Sequence, residues 1–369
     1  MVKKIFIITG EVSGDILASK IINYLDLKMI DVKGIVGSNL KEMGIEGPFE
    51  NKDITFFGIT DVIKNIFYIK KRIDQTVKYI ESFKPDIVFS VDSPDFVFQV
   101  IKKIKKRKKT KSKFFHFVAP SIWAWREGRA KKIKNLLDKI YLLFKFEKKY
   151  FDKYGIKNQY VGHPFFENFT SSKFNINAES KLISFCPGSR KKEIDAFMPI
   201  FIDVIKNYKN TFNYHFAITK ETESLVRKYL KNINNVKYYI NINENQKEKY
   251  LKNSLITVAK SGTISLDLCK NQIPYITIYR LSWLNYFIIK PFIKAKYVNI
   301  INIIADKEII PELIQFDCNS KMIIAKLDYF FNNNDKLKAL VENYNLVLKE
   351  LSNRDTSKQI ADDLIYNLN

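Results

Sequence analysis

The sequence predicts an α/β protein of two Rossmann-like, doubly wound domains facing a cleft. Three observations carry this. Short β-branched or aromatic runs alternate with longer amphipathic ones, the pattern of a parallel sheet wrapped by helices. The alternation lapses into a polar stretch rich in Asn, Ser and Thr from Phe165 to Asn177, then starts afresh at Leu182. The chain has 369 residues, and domains usually run to about 100–200, so two cores suit it better than one.

In the first half, strands are expected at 5–9, 32–36, 87–91, 114–118 and 140–143, with helices between them, notably 60–83 and 147–154. In the second, strands at 182–186, 214–219, 236–240, 255–259 and 275–278 alternate with helices such as 193–208. That helix repeats Ile194, Phe197, Met198, Phe201 and Ile205 on one face. The last roughly 65 residues are helical and highly charged, and a closing helix that returns to the first domain suits them. The expected division is an α/β domain over 1–170, a second over 178–345 and a helical segment over 346–369.

Hydrophobic residues at 46% and aromatics at 14% supply ample material for buried cores. Lys and Arg total 62 against 39 Asp and Glu, and the net +23 points to a polyanionic partner: nucleic acid, anionic lipid or a phosphorylated ligand. Charge alone does not choose among them, and the abundance of Lys, Asn and Ile also fits general compositional drift. Cys186, Cys269 and Cys318 form no CxxC pair, which argues against a disulfide framework or cysteine zinc site and fits a reducing, cytosolic location. His116, His163 and His215 lack metal-ligand spacing, so no metal and no cofactor are expected.

The opening MVKKIFIITGE has too short an apolar run for a signal peptide. No uncharged stretch reaches the ~20 residues that span a bilayer. The nearest approach, 281–304, is broken by Lys290, Pro291, Lys294 and Lys296, and suits lying on a membrane rather than crossing it.

Four turns carry the chemistry. GEVSGD, Gly10–Asp15, follows the first strand and opens a helix. It reads either as a ligand turn, with Glu11, Ser13, Gly14 and Asp15 lining it, or as a plain turn capped by Ser13 or Asp15. VDSPDF, Val91–Phe96, puts Asp92 and Asp95 at the carboxyl end of a strand, where open α/β sheets bind ligands. Either carboxylate is a candidate general base, and an Asp-Pro turn capping the next helix is the bland alternative. CPGSRKKE, Cys186–Glu193, offers Gly188, Ser189 and Arg190 at a helix start, a candidate diphosphate site. AKSGTISLD, Ala259–Asp267, repeats the form with Ser261, Gly262 and Thr263 as donors and Asp267 placed to accept ribose hydroxyls. Two such turns facing one cleft imply a nucleoside diphosphate.

On the acceptor side, SIWAWREGR sets Trp123 and Trp125 beside Arg126 and Arg129, reading either as a ring offered to a sugar or as core. His163, in VGHP, either lines the cleft or is core, while His116 and His215 fall in strands. The basic run 101–113 reads as a solvated helix face or as an attraction to anionic headgroups.

Taken in order, these segments resemble the bacterial lipid A disaccharide synthases, a family of two-domain GT-B glycosyltransferases. The match runs through GEVSGD, GIVG, FFGITDV, VDSPDF, APSIWAWR, KFEKKYFDKYG, VGHP, PGSRKKE, SGTISLD, Tyr279-Arg280 and NIIADKEIIPELIQ. The resemblance implies an inverting transfer from UDP-2,3-diacylglucosamine to 2,3-diacylglucosamine 1-phosphate, giving a β-1,6-linked disaccharide phosphate and UDP. It implies Asp92 as the base, and Arg190, Gly262, Thr263, Asp267, Asn302, Glu312 and Gln315 around the donor nucleotide. It implies a membrane-facing surface at Phe56, Phe57, Ile63, Ile66 and Phe67 with Lys64, Lys70, Lys71 and Arg72, hence a cytoplasmic protein peripheral to the inner membrane. It also allows a homodimer swapped through the C-terminus.

Some positions depart from the family's pattern: Asp267 replaces Glu, Ala119 Ser, Lys145 Pro, and Ser38-Asn39 Gly-Pro. The turns identify a nucleotide rather than its sugar, so another GT-B enzyme, an epimerase or a transferase for a different lipid, is the nearest alternative. A basic nucleic-acid-binding protein is the alternative from another class. The acidic turns, and the lack of a recognised module for that role, count against it.

Overall fold

A computed structural model describes residues 2–55, 65–123, 128–167, 169, 179–231, 233–281, 286, 290, 295–352 and 354–369. The chain divides into two compact units: Met1–Asn168 with Leu351–Asn369, and Phe169–Glu350.

The N-terminal unit holds the strands β1 Lys3–Thr9, β2 Ile30–Ile35, β3 Ile87–Val91, β4 Lys113–Phe117, β5 Lys139–Leu142 and β6 Asn158–Tyr160, in the order β2-β1-β3-β4-β5-β6. All pairs are parallel. Central strands such as IVFSV are buried along their whole length, because a parallel sheet is covered on both faces and so reads as continuous apolar runs. Helices Ile66–Phe83 and Pro94–Arg107 pack together, and both bury residues in one core with Phe6, Ile8 and Val88 of the sheet.

The C-terminal unit repeats the plan with β7 Leu182–Cys186, β8 Asn213–Ala217, β9 Tyr238–Asn241, β10 Ile256–Lys260, β11 Tyr275–Tyr279 and β12 Glu312–Ile314, in the order β12-β11-β10-β7-β8-β9, again all parallel. Two strands, β6 and β12, were not expected. Each has three residues, NQY and ELI, too short for a periodic signal. The expected strand ending at Val118 stops at Phe117, because Val118 takes φ 68° and turns the chain away. The expected helix 60–83 is described from Ile66 onward. In place of 147–154, a 3-10 turn Lys145–Glu147 leads into helix Lys148–Asp152.

In both sheets the strand order reverses at one point, between β1 and β3 and between β7 and β10. Loops leaving two such strands run to opposite sides and leave a crevice at their carboxyl ends. All four chemistry-bearing turns follow one of these strands.

The closing helix Thr356–Leu368 belongs to the N-terminal unit, whereas helix Asn334–Ser352 still serves the C-terminal one, with Tyr344 donating to the Ile273 carbonyl at 3.1 Å. The return therefore begins after Glu350 rather than at 346. The Asp363 carboxylate accepts from Lys139 Nζ at 2.7 Å and from the Tyr141 hydroxyl at 2.5 Å. Thr356 donates to the Val161 carbonyl, and the Ser357 N–H to Glu167.

Asp363→Ala would strand the buried Lys139 ammonium, so the variant is expected to lose about 3 kcal/mol in denaturant unfolding. A loss below about 0.5 kcal/mol would mean that the helix is held by apolar packing instead.

Candidate functional site

At the switch point of the N-terminal unit, GEVSGD and VDSPDF meet. A Cβ on Gly10 would stand 1.7 Å from Ser93 Oγ, and one on Gly14 3.5 Å from Asp92 Cβ and 3.1 Å from the Val91 carbonyl oxygen. Only glycine lets the first turn approach the second so closely.

Asp92 and Ser93 lie consecutively in the left-handed region, at φ 61° and 47°. Such backbone costs about 1 kcal/mol or more per residue and gathers at functional sites. The Asp92 N–H donates to the Phe117 carbonyl at 3.0 Å, and its Oδ1 accepts from the Ser93 N–H at 2.7 Å. Burial pushes this half-exposed carboxyl above the ordinary aspartate range, and the Ser93 N–H partly opposes the rise. The result is a carboxylate just past the end of β3 that holds a proton more readily than a solvated aspartate. Asp95 is exposed in the first turn of helix Pro94–Arg107.

Asp15 is placed elsewhere than expected. It is 1% exposed; its Oδ1 accepts from the Gly37 N–H at 2.6 Å, and its Oδ2 from the Asn39 N–H and Nδ2 at 2.9 and 3.0 Å. Its oxygens lock the turn after β2 and do not cap their own helix. Helix Val12–Ile22 has no side-chain cap at all, with Glu11 half-buried at its start and Ser13 exposed. Asn51 and Thr55 fix the turn from outside, Thr55 donating to the Gly10 carbonyl at 2.7 Å and Asn51 Nδ2 to the Glu11 carbonyl at 3.4 Å.

Past the ends of β4, β5 and β6 lies an aromatic cluster. The Trp123 ring meets Phe146 edge-on at 5.2 Å, Phe144 stacks on Phe146 at 5.7 Å, and His163 packs against Phe144, Phe165 and Phe166. Burial, helped by Lys20, lowers His163 to about 4, so its ring is neutral at pH 7 and Nδ1 accepts from the Phe165 N–H at 3.1 Å. His116 and His215 are core, each bonded through Nδ1 to a serine of the neighbouring strand, Ser90 and Ser184, at 2.8 Å. Trp125 and Arg126 lie outside the described residues. So do Phe56, Phe57, Ile63 and Lys64, while Ile66 and Phe67 stand 42% and 82% exposed, with Lys70 Nζ 5.9 Å from the Phe67 ring.

In the C-terminal unit, both turns line one cavity of about 340 Å³, with Gly188, Ser189, Glu193, Lys247, Lys260, Gly262, Thr263 and Asp267 in its wall. Gly262 and Thr263 are exposed. Asp267 is half-buried and raised to about 6, by burial first and then by the nearby Glu244.

The PGSR turn departs from expectation. The N–H groups of Ser189 and Arg190 donate to Glu193 Oε2 at 3.0 and 3.3 Å, so an internal carboxylate already occupies donors assigned to a diphosphate. Gly188 suits this turn because its φ of 106° is one that L side chains rarely adopt. Ser261 is likewise committed, its hydroxyl donating to the Val298 carbonyl at 2.8 Å.

Asn302, Glu312 and Gln315, expected around the donor nucleotide, hold loops through their polar side-chain groups. Asn302 is fully buried, accepts from the Ile309 and Ile310 N–H groups and donates to the Ile310 carbonyl and to Glu312. Glu312, raised by burial, accepts from the Val298 and Asn299 N–H groups. Gln315 pairs both ways with the Leu281 backbone, at 3.0 and 3.1 Å.

Sequence reasoning passed over Glu193, Lys260 and Glu147. The first was legible, since it stands at the third position of helix Lys191–Asn207, where an acid caps its own helix start. Glu147 is 3% exposed, accepts from the Phe144 N–H at 3.0 Å and is pushed up to about 8 by burial. Between pH 4.5 and about 8 the unfolded chain gives up this proton while the folded protein keeps it, so stability falls as pH rises through that window.

Glu147→Gln should gain about 1–3 kcal/mol over the parent at pH 8 and match it near pH 4.5 in denaturant unfolding. An equal difference at both pH values would assign the effect to packing rather than to the proton.

Comparison with known proteins follows the same outline. The profile of the family described as Lipid-A-disaccharide synthetase matches residues 5–363. A lipid-A-disaccharide synthase of Rickettsia bellii (strain OSU 85-389) is 36% identical over 363 residues, covering 95% of this chain and 94% of the relative. That of Rickettsia prowazekii (strain Madrid E) is 34% identical over 371 residues, covering 96% and 97%. Among solved structures, UDP-GlcNAc 2-epimerase from Neisseria meningitidis bound to UDP-GlcNAc aligns with TM-score 0.66 at 14% identity, covering 98% of this chain and 100% of that one. Acinetobacter baumannii MurG aligns with TM-score 0.61 at 9% identity, covering 98% of each. At such identities these structures bear on the fold, which is GT-B.

Proposed function

The chain belongs to the lipid-A-disaccharide synthetase family and is a glycosyltransferase that forms the lipid A disaccharide, and from that premise we propose that Asp92 is the base of the transfer. The family favours transfer over epimerisation or nucleic-acid binding. Its substrates are a UDP-sugar and a sugar-phosphate lipid, here read as UDP-2,3-diacylglucosamine and 2,3-diacylglucosamine 1-phosphate.

In this reading Asp92 takes the proton of the acceptor 6-hydroxyl as that oxygen bonds to the anomeric carbon. The bond from that carbon to the diphosphate breaks at the same time, and UDP departs with the electron pair. No covalent intermediate forms and the configuration inverts. The carrying observation is the strained left-handed Asp92–Ser93 step at the carboxyl end of β3, which holds a half-buried, raised carboxyl beside the switch point. Donor binding is assigned to the cavity with Gly262, Thr263 and Asp267 in its wall, where Asp267 accepts ribose hydroxyls. Glu11, Ser13 and Asp95, with the aromatic cluster of Trp123 and His163, fall to the acceptor.

A peripheral place on the inner membrane is supported by the exposed Phe67 and Ile66 beside Lys70 and Lys71, a pairing of apolar tips with basic residues suited to anionic lipid, whereas Arg72 is turned to Asp53 at 3.0 Å. Among the described residues no helix is long and apolar enough to cross a membrane. The swapped homodimer rests on resemblance alone.

Incubating the protein with both acylated substrates should yield disaccharide phosphate and UDP. Asp92→Asn should lower kcat by about 10²–10⁴ with UDP affinity unchanged. Because the base must be ionised, the parent's kcat/KM should fall with decreasing pH through a limb above the usual ~4 of aspartate. Near-native turnover by Asp92→Asn would move the base to Asp95 or Glu11. Phe67→Ser should weaken sedimentation with anionic vesicles and leave UDP binding intact; unchanged sedimentation would remove this face from the membrane.

A further inference from the structure

We propose that Lys260 is the residue that binds the donor's diphosphate, held in place by Glu193. This rests on the reading of the cavity as a nucleotide site and deepens it.

Lys260 closes β10, one residue before the SGT turn, and its side chain is largely buried. Its Nζ stands 3.1 Å from Glu193 Oε1, and would be 3.8 Å from a Cβ on Gly262. The ammonium thus sits at the seam between the two turns, on the wall of the cavity they share.

The need for it follows from the occupied donors. With the Ser189 and Arg190 N–H groups turned to Glu193, the PGSR turn does not offer those amides to a diphosphate, and its Arg190 guanidinium, 63% exposed and 3.9 Å from Glu193 Oε1, lies outside the lining of the cavity. A diphosphate entering the cavity therefore depends on a cation in its wall. Among the described residues the cations in that wall are Lys247 and Lys260.

These two differ in company. Lys247 bonds to Glu244 Oε1 at 2.5 Å, and Glu244 and Glu248 both raise Asp267. That end of the cavity carries three carboxylates against one ammonium. It suits ribose hydroxyls and repels phosphate.

Lys260 faces a single carboxylate, whose second oxygen is already spent on two amides. An ammonium has three protons, so one bonded to Glu193 leaves two for phosphate oxygens. Gly262 beside it has no side chain to block the approach. The cavity is therefore polarised, ribose towards Asp267 and diphosphate towards Lys260, and this orients the nucleotide. Lysine can serve as a point charge for phosphate without the planar fork of arginine.

The competing role is a strut, with Lys260 merely tying the two turns together through Glu193. UDP and uridine separate the two roles, because they differ only in the diphosphate. Affinities of both are measured by calorimetry on the full chain, for the parent, Lys260→Met and Lys260→Arg, with unfolding midpoints recorded alongside. Lys260→Met is expected to weaken UDP by about tenfold to a hundredfold and to leave uridine unchanged, while Lys260→Arg keeps most of the UDP affinity.

Equal losses for UDP and uridine, or an unchanged UDP affinity, would overturn the proposal. Should Lys260→Met fail to fold, Lys260→Gln takes its place: weakening of UDP and uridine alike marks a strut, and a loss confined to UDP a phosphate ligand. A parent that binds neither compound would defeat the nucleotide reading itself, and the role of Lys260 with it.

Discussion

The structure depends on one constraint: an all-parallel sheet covered on both faces must reverse its winding somewhere. Each strand needs a crossover to the next, and wrapping both faces requires the strand order to change direction. Here that happens between β1 and β3 and again between β7 and β10. At each reversal two loops part and leave their strands' carboxyl ends uncovered. The apolar strands therefore do more than build cores, because their order decides where polar turns can serve a ligand.

A second theme is the use of internal carboxylates to shape those turns. Asp15 gathers the amides of Gly37 and Asn39, Glu193 those of Ser189 and Arg190, and Glu312 those of Val298 and Asn299. Each gives a protein partner to backbone groups that the regular ladder of a strand or helix does not reach. Asp92 differs in kind. It accepts the adjacent Ser93 N–H on one oxygen, in a left-handed backbone that other residue types adopt at greater cost. Carboxylates that build loops and the carboxylate proposed as a base share one functional group, and their hydrogen-bond partners tell them apart.

The strands and helices were largely legible, because each is long enough for its apolar period to show. Strands β6 and β12 were not, at three residues each. The four turns were legible as places, since glycine and small polar residues between a strand and a helix mark a close approach. Their internal wiring was not. Asp15 read as a cap or a ligand-facing acid, and its real partners, Gly37 and Asn39, lie 22 and 24 residues away. The amides of Ser189 and Arg190 read as free donors, yet they answer to Glu193.

What the sequence by itself determined is the α/β class, the paired turns, Asp92 as a candidate base and the family resemblance. These depend on local period, on residue type and on ordered motifs, all of which survive in one dimension. What only the tertiary structure decided is which polar groups are already spent. It committed Ser261, Asn302, Glu312 and Gln315 to backbone partners and brought Lys260 to the seam between the turns. The reason is physical: a hydrogen bond or ion pair is satisfied by whatever partner folding brings within about 3 Å, and the strand order of the sheet, not sequence distance, chooses that partner.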